Sequence, residues 1–168
     1  YTKPYASCRY THPSVEAAIH LAEKINPCDV KKIEIKTYDL AVSGHEHTDI
    51  PGSYSAKMSI PYSTAVGLIY KKAGLKEFSE ATVKNKEVLD LTKKINVTAD
   101  DELSAVFPEI QAAVVSIKTD KGEFVERVDF PKGEPENPLS DKEFKERYDD
   151  LMKYAEIINQ KFDCNIQQ

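Results

Sequence analysis

The run Lys32 to Thr37 sets the firmest limit on what this chain can fold into. Ile33, Ile35 and Thr37 alternate with Lys32, Glu34 and Lys36, so an extended backbone here turns one side to a core and the other to water. A strand of that kind belongs to a sheet covered on one face only. Ile110 to Lys118 and Glu123 to Phe130 read as two more strands around Asp120-Lys121-Gly122, a hairpin composition. Ile95 and Val97 add a short one.

Helical patterns lie between these strands. Val15, Ala18, Ile19, Ala22 and Ile25 recur at helical spacing behind Pro13, whose missing N–H costs nothing in a first turn, and Asn26-Pro27 ends the run. A second helix is predicted from about Ser59 to Ala73, with Pro61 early, Tyr62, Ala65, Val66 and Ile69 on one face, and Gly74 as the stop. Gly67 within it marks close packing against a neighbour. Val42 to Ser55 reads as a loop, and residues 76 to 94 as one or two short helices. Ser140 and Glu143 form a capping-box pattern before a last helix striped by Phe144, Tyr148, Leu151, Ala155 and Ile158. The expected fold class is α+β, a two-layer sandwich whose mixed or antiparallel sheet is covered by helices on one face, plus a C-terminal helix. That last helix follows a long loop, so its stripe has a place to pack other than this sheet.

With 168 residues the chain suits one domain spanning 1–168. An apolar share of 40% and a charged share of 30% are those of a globular protein rather than a disordered one. A formal charge of -5 argues against a nucleic-acid partner, which needs concentrated Lys and Arg. No apolar run is long enough to cross a bilayer, so no membrane role is expected. Cys8, Cys28 and Cys164 are odd in number and lack a CxxC pattern, which points to a reducing compartment and to the cytoplasm.

Three segments carry a family likeness. Lys3-Pro4-Tyr5-Ala6-Ser7-Cys8-Arg9-Tyr10-Thr11-His12-Pro13 resembles the K-P-Y-P-x-C-x-x-T-H-like stretch that opens the C-terminal domain of the MmgE/PrpD family. Ser55-Ala56-Lys57-Met58-Ser59-Ile60-Pro61-Tyr62 resembles that family's A-K-F-S-x-P-Y segment. Gly133-Glu134-Pro135-Glu136-Asn137-Pro138-Leu139-Ser140 resembles its G-x-P-x-N-P-L-S turn before the terminal helix. The three occur in order and together reach almost the whole chain to about Tyr154. Ala6 departs from the pattern, standing where the family usually has proline.

The resemblance implies enzymes that act on small di- and tricarboxylic acids: 2-methylcitrate dehydration, as in propionate catabolism, cis-aconitate decarboxylation and iminodisuccinate epimerisation. It implies a large helical N-terminal domain, absent from these residues, joined to a smaller α+β domain, with a cofactor-free active site between them and a homodimeric assembly. It further implies that Lys3 is the small domain's catalytic lysine and that the helical domain holds the remaining acid/base groups. A 2-methylcitrate dehydratase-like hydro-lyase is the leading reading, inactive as this chain alone, with epimerase and decarboxylase as alternatives. A non-catalytic interaction module or split-gene subunit is the rival from another class, to be told apart by whether the terminal stripe lies open.

The chemistry of such substrates can be followed in the residues. Each buried carboxylate needs a cation. Lys3 and Arg9 flank a loop ahead of a helix whose N-terminal amides also favour anions. Arg9 can hold a carboxylate with two parallel bonds, and Lys3 can serve as a point charge or, if desolvated, as a proton carrier. His12 can donate to substrate or shuttle a proton, but capping or packing at the start of the first helix beside Thr11 is the favoured reading. Lys57 and Ser59 open the second helix, where they can approach the same anion or cap the helix. Cys8 reads as a buried, inert thiol, since the sequence identifies no base partner for it. His45-Glu46-His47 with Asp49 is the one metal-like cluster, but no further ligand is spaced to close a shell, so no metal site and no cofactor are expected.

Overall fold

The structure, a computed structural model, describes residues 1–166, and the side chains of residues 1–156. Helix α1 (His12–Leu21) starts the ordered core, with Pro13 in its first turn. Strand β1 (Val30–Thr37) follows, then the short helices α2 (Asp39–Val42) and α3 (Ser53–Met58), and helix α4 (Ile60–Tyr70). Helix α5 (Lys86–Thr92), strand β2 (Ile95–Ala99) and the short helix α6 (Asp101–Ala105) come next. Strands β3 (Ala113–Thr119) and β4 (Gly122–Val128) and helix α7 (Asp141–Ile166) complete the order.

The strands form one mixed sheet in the order β2-β1-β3-β4, with β2 parallel to β1 and the other two pairings antiparallel. Register explains why the alternation in β1 matters. Ile33 stands beside Ile95 and Ile117, and Ile35 beside Val97 and Val115, so each apolar side chain meets apolar neighbours across both strands. Both isoleucines are 0% exposed, and each such burial is worth about 1.5–3 kcal/mol. On the opposite face Lys32, Lys36 and Lys118 are exposed and Val125 is 56% exposed, so the helices cover one face only.

Helix α1 lies on β3 and β4 and against α4, which in turn packs on α5 and β2. The closest approach between α1 and α4 is made at Gly67, where a Cβ would sit 2.9 Å from the Val15 carbonyl oxygen. Burial of α1 exceeds the expected stripe: His12, Pro13, Ser14, Glu16 and Ala17 are buried together with Val15 and Ala18. Segment 1–10 covers His12 through Tyr1, Tyr5 and Ser7, and the loop ahead of α7 covers Glu16 through Lys132 and Asn137, so the side that an isolated amphipathic helix would leave wet is closed.

Several boundaries differ from the sequence reading. Helix α4 ends at Tyr70, with Lys71 left-handed at φ 55°, rather than at Ala73 before Gly74. Residues beyond Tyr70 have other partners: the Ala73 carbonyl accepts the Ala6 amide at 2.8 Å and the Gly74 amide donates to the Glu77 carboxylate at 2.9 Å. The expected loop from Val42 to Ser55 is shortened by α3, and α6 was not foreseen. Strands β3 and β4 are shorter than Ile110–Lys118 and Glu123–Phe130 suggested. The capping box forms as read, with the Ser140 amide bonded to Glu143 at 2.8 Å and the Glu143 amide to the Ser140 hydroxyl at 3.3 Å.

The stripe of the terminal helix does not pack on the sheet. Phe144, Tyr148, Leu151 and Met152 are 56%, 55%, 40% and 45% exposed, and Ala155 is exposed too. Ile158 lies outside the residues whose side chains are described. The side of α7 that meets the body carries Arg147 and Tyr154 instead. The apolar stripe therefore faces outward, and nothing among the described residues covers it.

Candidate functional site

The segment 1–10 runs over the N-terminal end of α1 and is fastened along its length. The Thr2 amide donates to the Gly133 carbonyl at 2.9 Å, the Ala6 amide to Ala73 at 2.8 Å and the Cys8 amide to Lys57 at 2.7 Å. Gly133 is required at its place: its φ is +93°, and a Cβ there would overlap the Thr2 carbonyl. The turn that holds this glycine is itself tied to α1, since the buried Glu16 carboxylate accepts the Asn137 amide at 3.1 Å. Two of the three segments that stood out in the sequence thus clamp one another.

Lys3 is exposed on this fastened segment, and its ammonium forms no ion pair among the described residues. Arg9 is placed differently from the free clamp expected of it. Its guanidinium pairs with Glu134 and lies 4.9 Å from the Tyr1 ring centroid. Its Nη1 is buried and has no hydrogen-bond partner among the described residues.

His12 is 0% exposed. Its Nε2 faces the Ser7 carbonyl at 3.3 Å, which can only accept, so that nitrogen carries the proton and Nδ1 accepts from the Tyr1 hydroxyl. Burial pushes its pKa from 6.5 to about 3, and the nearby charges of Arg9, Lys3 and Arg147 act in the same direction. The ring is a neutral internal post for the segment. Tyr1 is pushed up to about 12 and Tyr5 higher still, chiefly by burial, so both stay protonated donors.

Ser59 is also 0% exposed, and its hydroxyl has two uses already: it caps α4 by accepting the Tyr62 amide at 3.1 Å, and it donates to the His47 carbonyl at 2.6 Å. Lys57 is half-buried beside Cys8, to which it is joined through its backbone carbonyl. The histidines of the 45–47 cluster already have partners. His47 turns Nδ1 to the Gly44 carbonyl at 3.3 Å and Nε2 to the Ser55 hydroxyl at 3.1 Å. His45 turns Nδ1 to the Ser43 carbonyl at 3.0 Å and Nε2 to the Cys8 sulfur at 3.6 Å. Among the described residues no group of three or more His, Cys, Asp and Glu is arranged to hold a metal ion.

One cation went unremarked in the sequence. Arg147, on α7, is half-buried, its Nε has no partner among the described residues, and burial lowers its pKa. It lines a cavity of about 260 Å³ together with Pro4, Tyr5, Lys72 and Lys132 and with the carboxylates of Glu143, Glu146 and Asp150. Arg147 flanks the apolar stripe, three residues after Phe144 and four before Leu151, where the default reading of a charge is a solvated one. Only the docking of α7 beside segment 1–10 makes it part of the site.

The charges of Lys3, Arg9 and Arg147 all bear on the buried His12 ring. The model of the MmgE/PrpD C-terminal domain matches residues 5–161. The chain belongs to the MmgE/PrpD family. No curated protein matches it. Within this MmgE/PrpD domain, all the residues just described except Tyr1, Thr2, Lys3 and Pro4 fall inside the matched stretch. Among the described residues of this MmgE/PrpD chain no helix is long and apolar enough to cross a membrane.

Proposed function

We propose that this domain supplies the cationic, small-domain side of an active site for di- or tricarboxylic acids, with Lys3 as its catalytic lysine. The observation that carries the reading is an exposed ammonium without an ion pair among the described residues, on a backbone held at Thr2, Ala6 and Cys8. A fixed cation of this kind stabilises the enolate-like charge that builds up when a proton leaves beside a carboxylate. Nη1 of Arg9 and Nε of Arg147, without partners among the described residues, add donors whose bonds an anionic ligand can complete.

The leading activity is a hydro-lyase of the 2-methylcitrate dehydratase kind, exercised when the domain is joined to a helical domain of the family. Epimerisation or decarboxylation of related acids are the alternatives within the family. The open stripe of Phe144, Tyr148, Leu151 and Met152 on α7 favours a second body packed there, which agrees with a joined domain and also suits a non-catalytic interaction module. The test combines this chain with a helical domain of the family and follows formation of the conjugated C=C bond from a hydroxy tricarboxylic acid. We expect turnover only in the combination, and a loss of kcat on the order of a hundredfold or more for Lys3→Ala. Turnover by this chain alone, or full kcat in the Lys3→Ala form, would overturn the reading.

A further inference from the structure

Cys8 has the base that its sequence surroundings lack. His45 brings Nε2 to 3.6 Å from the Cys8 sulfur across a separation of 37 residues. The other ring nitrogen lies 3.0 Å from the Ser43 carbonyl oxygen. That oxygen can only accept, so Nδ1 carries the ring proton and Nε2 offers its lone pair to the thiol. The imidazole is held in place: its edge meets the Tyr10 ring at 5.3 Å, the His45 amide donates to Val42 at 3.0 Å, and its carbonyl accepts from Ile60 at 2.8 Å. Cys8 is fixed as well, through its amide to Lys57 at 2.7 Å and its carbonyl to the Thr11 hydroxyl at 2.9 Å. Nucleophile, base and orienting carbonyl follow one another as in activated thiols generally. The thiol is half-buried rather than sealed.

We propose that Cys8 and His45 form a nucleophilic dyad that adds to α,β-unsaturated carboxylic acids, which makes Cys8 a site of covalent modification. The substrate class rests on the function proposed above, since dehydrating a hydroxy acid places a C=C bond next to a carboxylate. In the addition, the imidazole takes the thiol proton as sulfur bonds to the β-carbon. The π electron pair moves to the α-carbon and its carboxylate. The imidazolium then returns the proton to the α-carbon. The net change is one S–H added across one C=C, with no oxidant or reductant needed.

Cys28 supplies an internal reference, being exposed and without an imidazole partner among the described residues. The intact chain is treated at neutral pH with limiting N-ethylmaleimide and, separately, with fumarate, and adducts at each cysteine are read by peptide mass spectrometry. We expect N-ethylmaleimide to label Cys8 ahead of the more exposed Cys28, and fumarate to add at Cys8. His45→Gln is expected to slow Cys8 by about a hundredfold, the lower end of what a positioned base contributes, with the Cys28 rate and the far-UV circular dichroism unchanged. Faster labelling of Cys28, or equal rates at Cys8 with and without the imidazole, overturns the dyad. Labelling of Cys8 by N-ethylmaleimide with no fumarate adduct overturns the carboxylate specificity. The comparison of Cys8 with Cys28 in the unaltered chain needs no variant to fold. None of these readings needs turnover, so a failure of the lyase reading and a failure of the dyad are told apart.

Discussion

Acid should undo this fold through a single buried imidazole. His12 is 0% exposed, and burial pushes its pKa from 6.5 to about 3. In the unfolded chain the same ring takes up a proton near its ordinary value. Between about pH 6.5 and about pH 3 the unfolded state therefore binds one more proton than the native state. Stability from this source is fully present above the unfolded value and is lost as the pH falls through the window, by about 1.4 kcal/mol per pH unit. Over the whole window that amounts to about 5 kcal/mol, comparable with the entire stability of many domains, about 5–15 kcal/mol. The assay is urea unfolding at a series of pH values below neutrality, on the chain as it stands and on His12→Gln, whose amide can still donate to the Ser7 carbonyl. Carboxylates held low by their partners, such as Glu143 bonded to Ser140, weaken the fold in the same direction but act in both proteins and cancel in the difference. We expect the stability of His12→Gln to fall less steeply with acid, by about one proton's worth of slope. Equal slopes in the two proteins would refute the reasoning, whatever their stabilities at neutral pH.

Two further substitutions check the packing around the site. Gly67→Ala gains about 1 kcal/mol of helix propensity, but its new methyl meets the Val15 carbonyl at 2.9 Å, and overpacking against a neighbour costs about 1–3 kcal/mol. Because the obstacle is backbone, we expect a net loss and a Tm lower by a few degrees; a higher Tm would mean that α1 and α4 can separate freely. Glu134→Gln leaves the Arg9 guanidinium without its counter-charge, and we expect urea unfolding to report a loss of about 1–3 kcal/mol. An unchanged midpoint would show that the pair does not hold the turn to segment 1–10.

Some of the site could be read before any fold was known, and the reasons are local. Pro13, the alternation through Ile35 and the Ser140–Glu143 cap each act within a few residues, so the elements they specify formed as expected. Ser59 was placed correctly at the start of α4, but whether its hydroxyl faced a ligand or the helix depended on His47, a residue of a loop with no periodicity to read. Arg9 had the right chemistry for a substrate carboxylate, yet its pairing with Glu134 spans 125 residues. The stripe on α7 was recognisable as apolar, but periodicity says only that residues share a face, never which way the face turns.

Sequence by itself determined the one-sided sheet, the starts of α1, α4 and α7 and the family, because alternation, caps and short motifs are written in neighbouring residues. Tertiary structure alone decided that Cys8 meets His45, that the charges of Lys3 and Arg147 bear on a buried His12, and that the terminal stripe looks outward. Those outcomes depend on how rigid elements dock. Docking is set by burial summed over many distant contacts, and no short stretch of chain carries that sum.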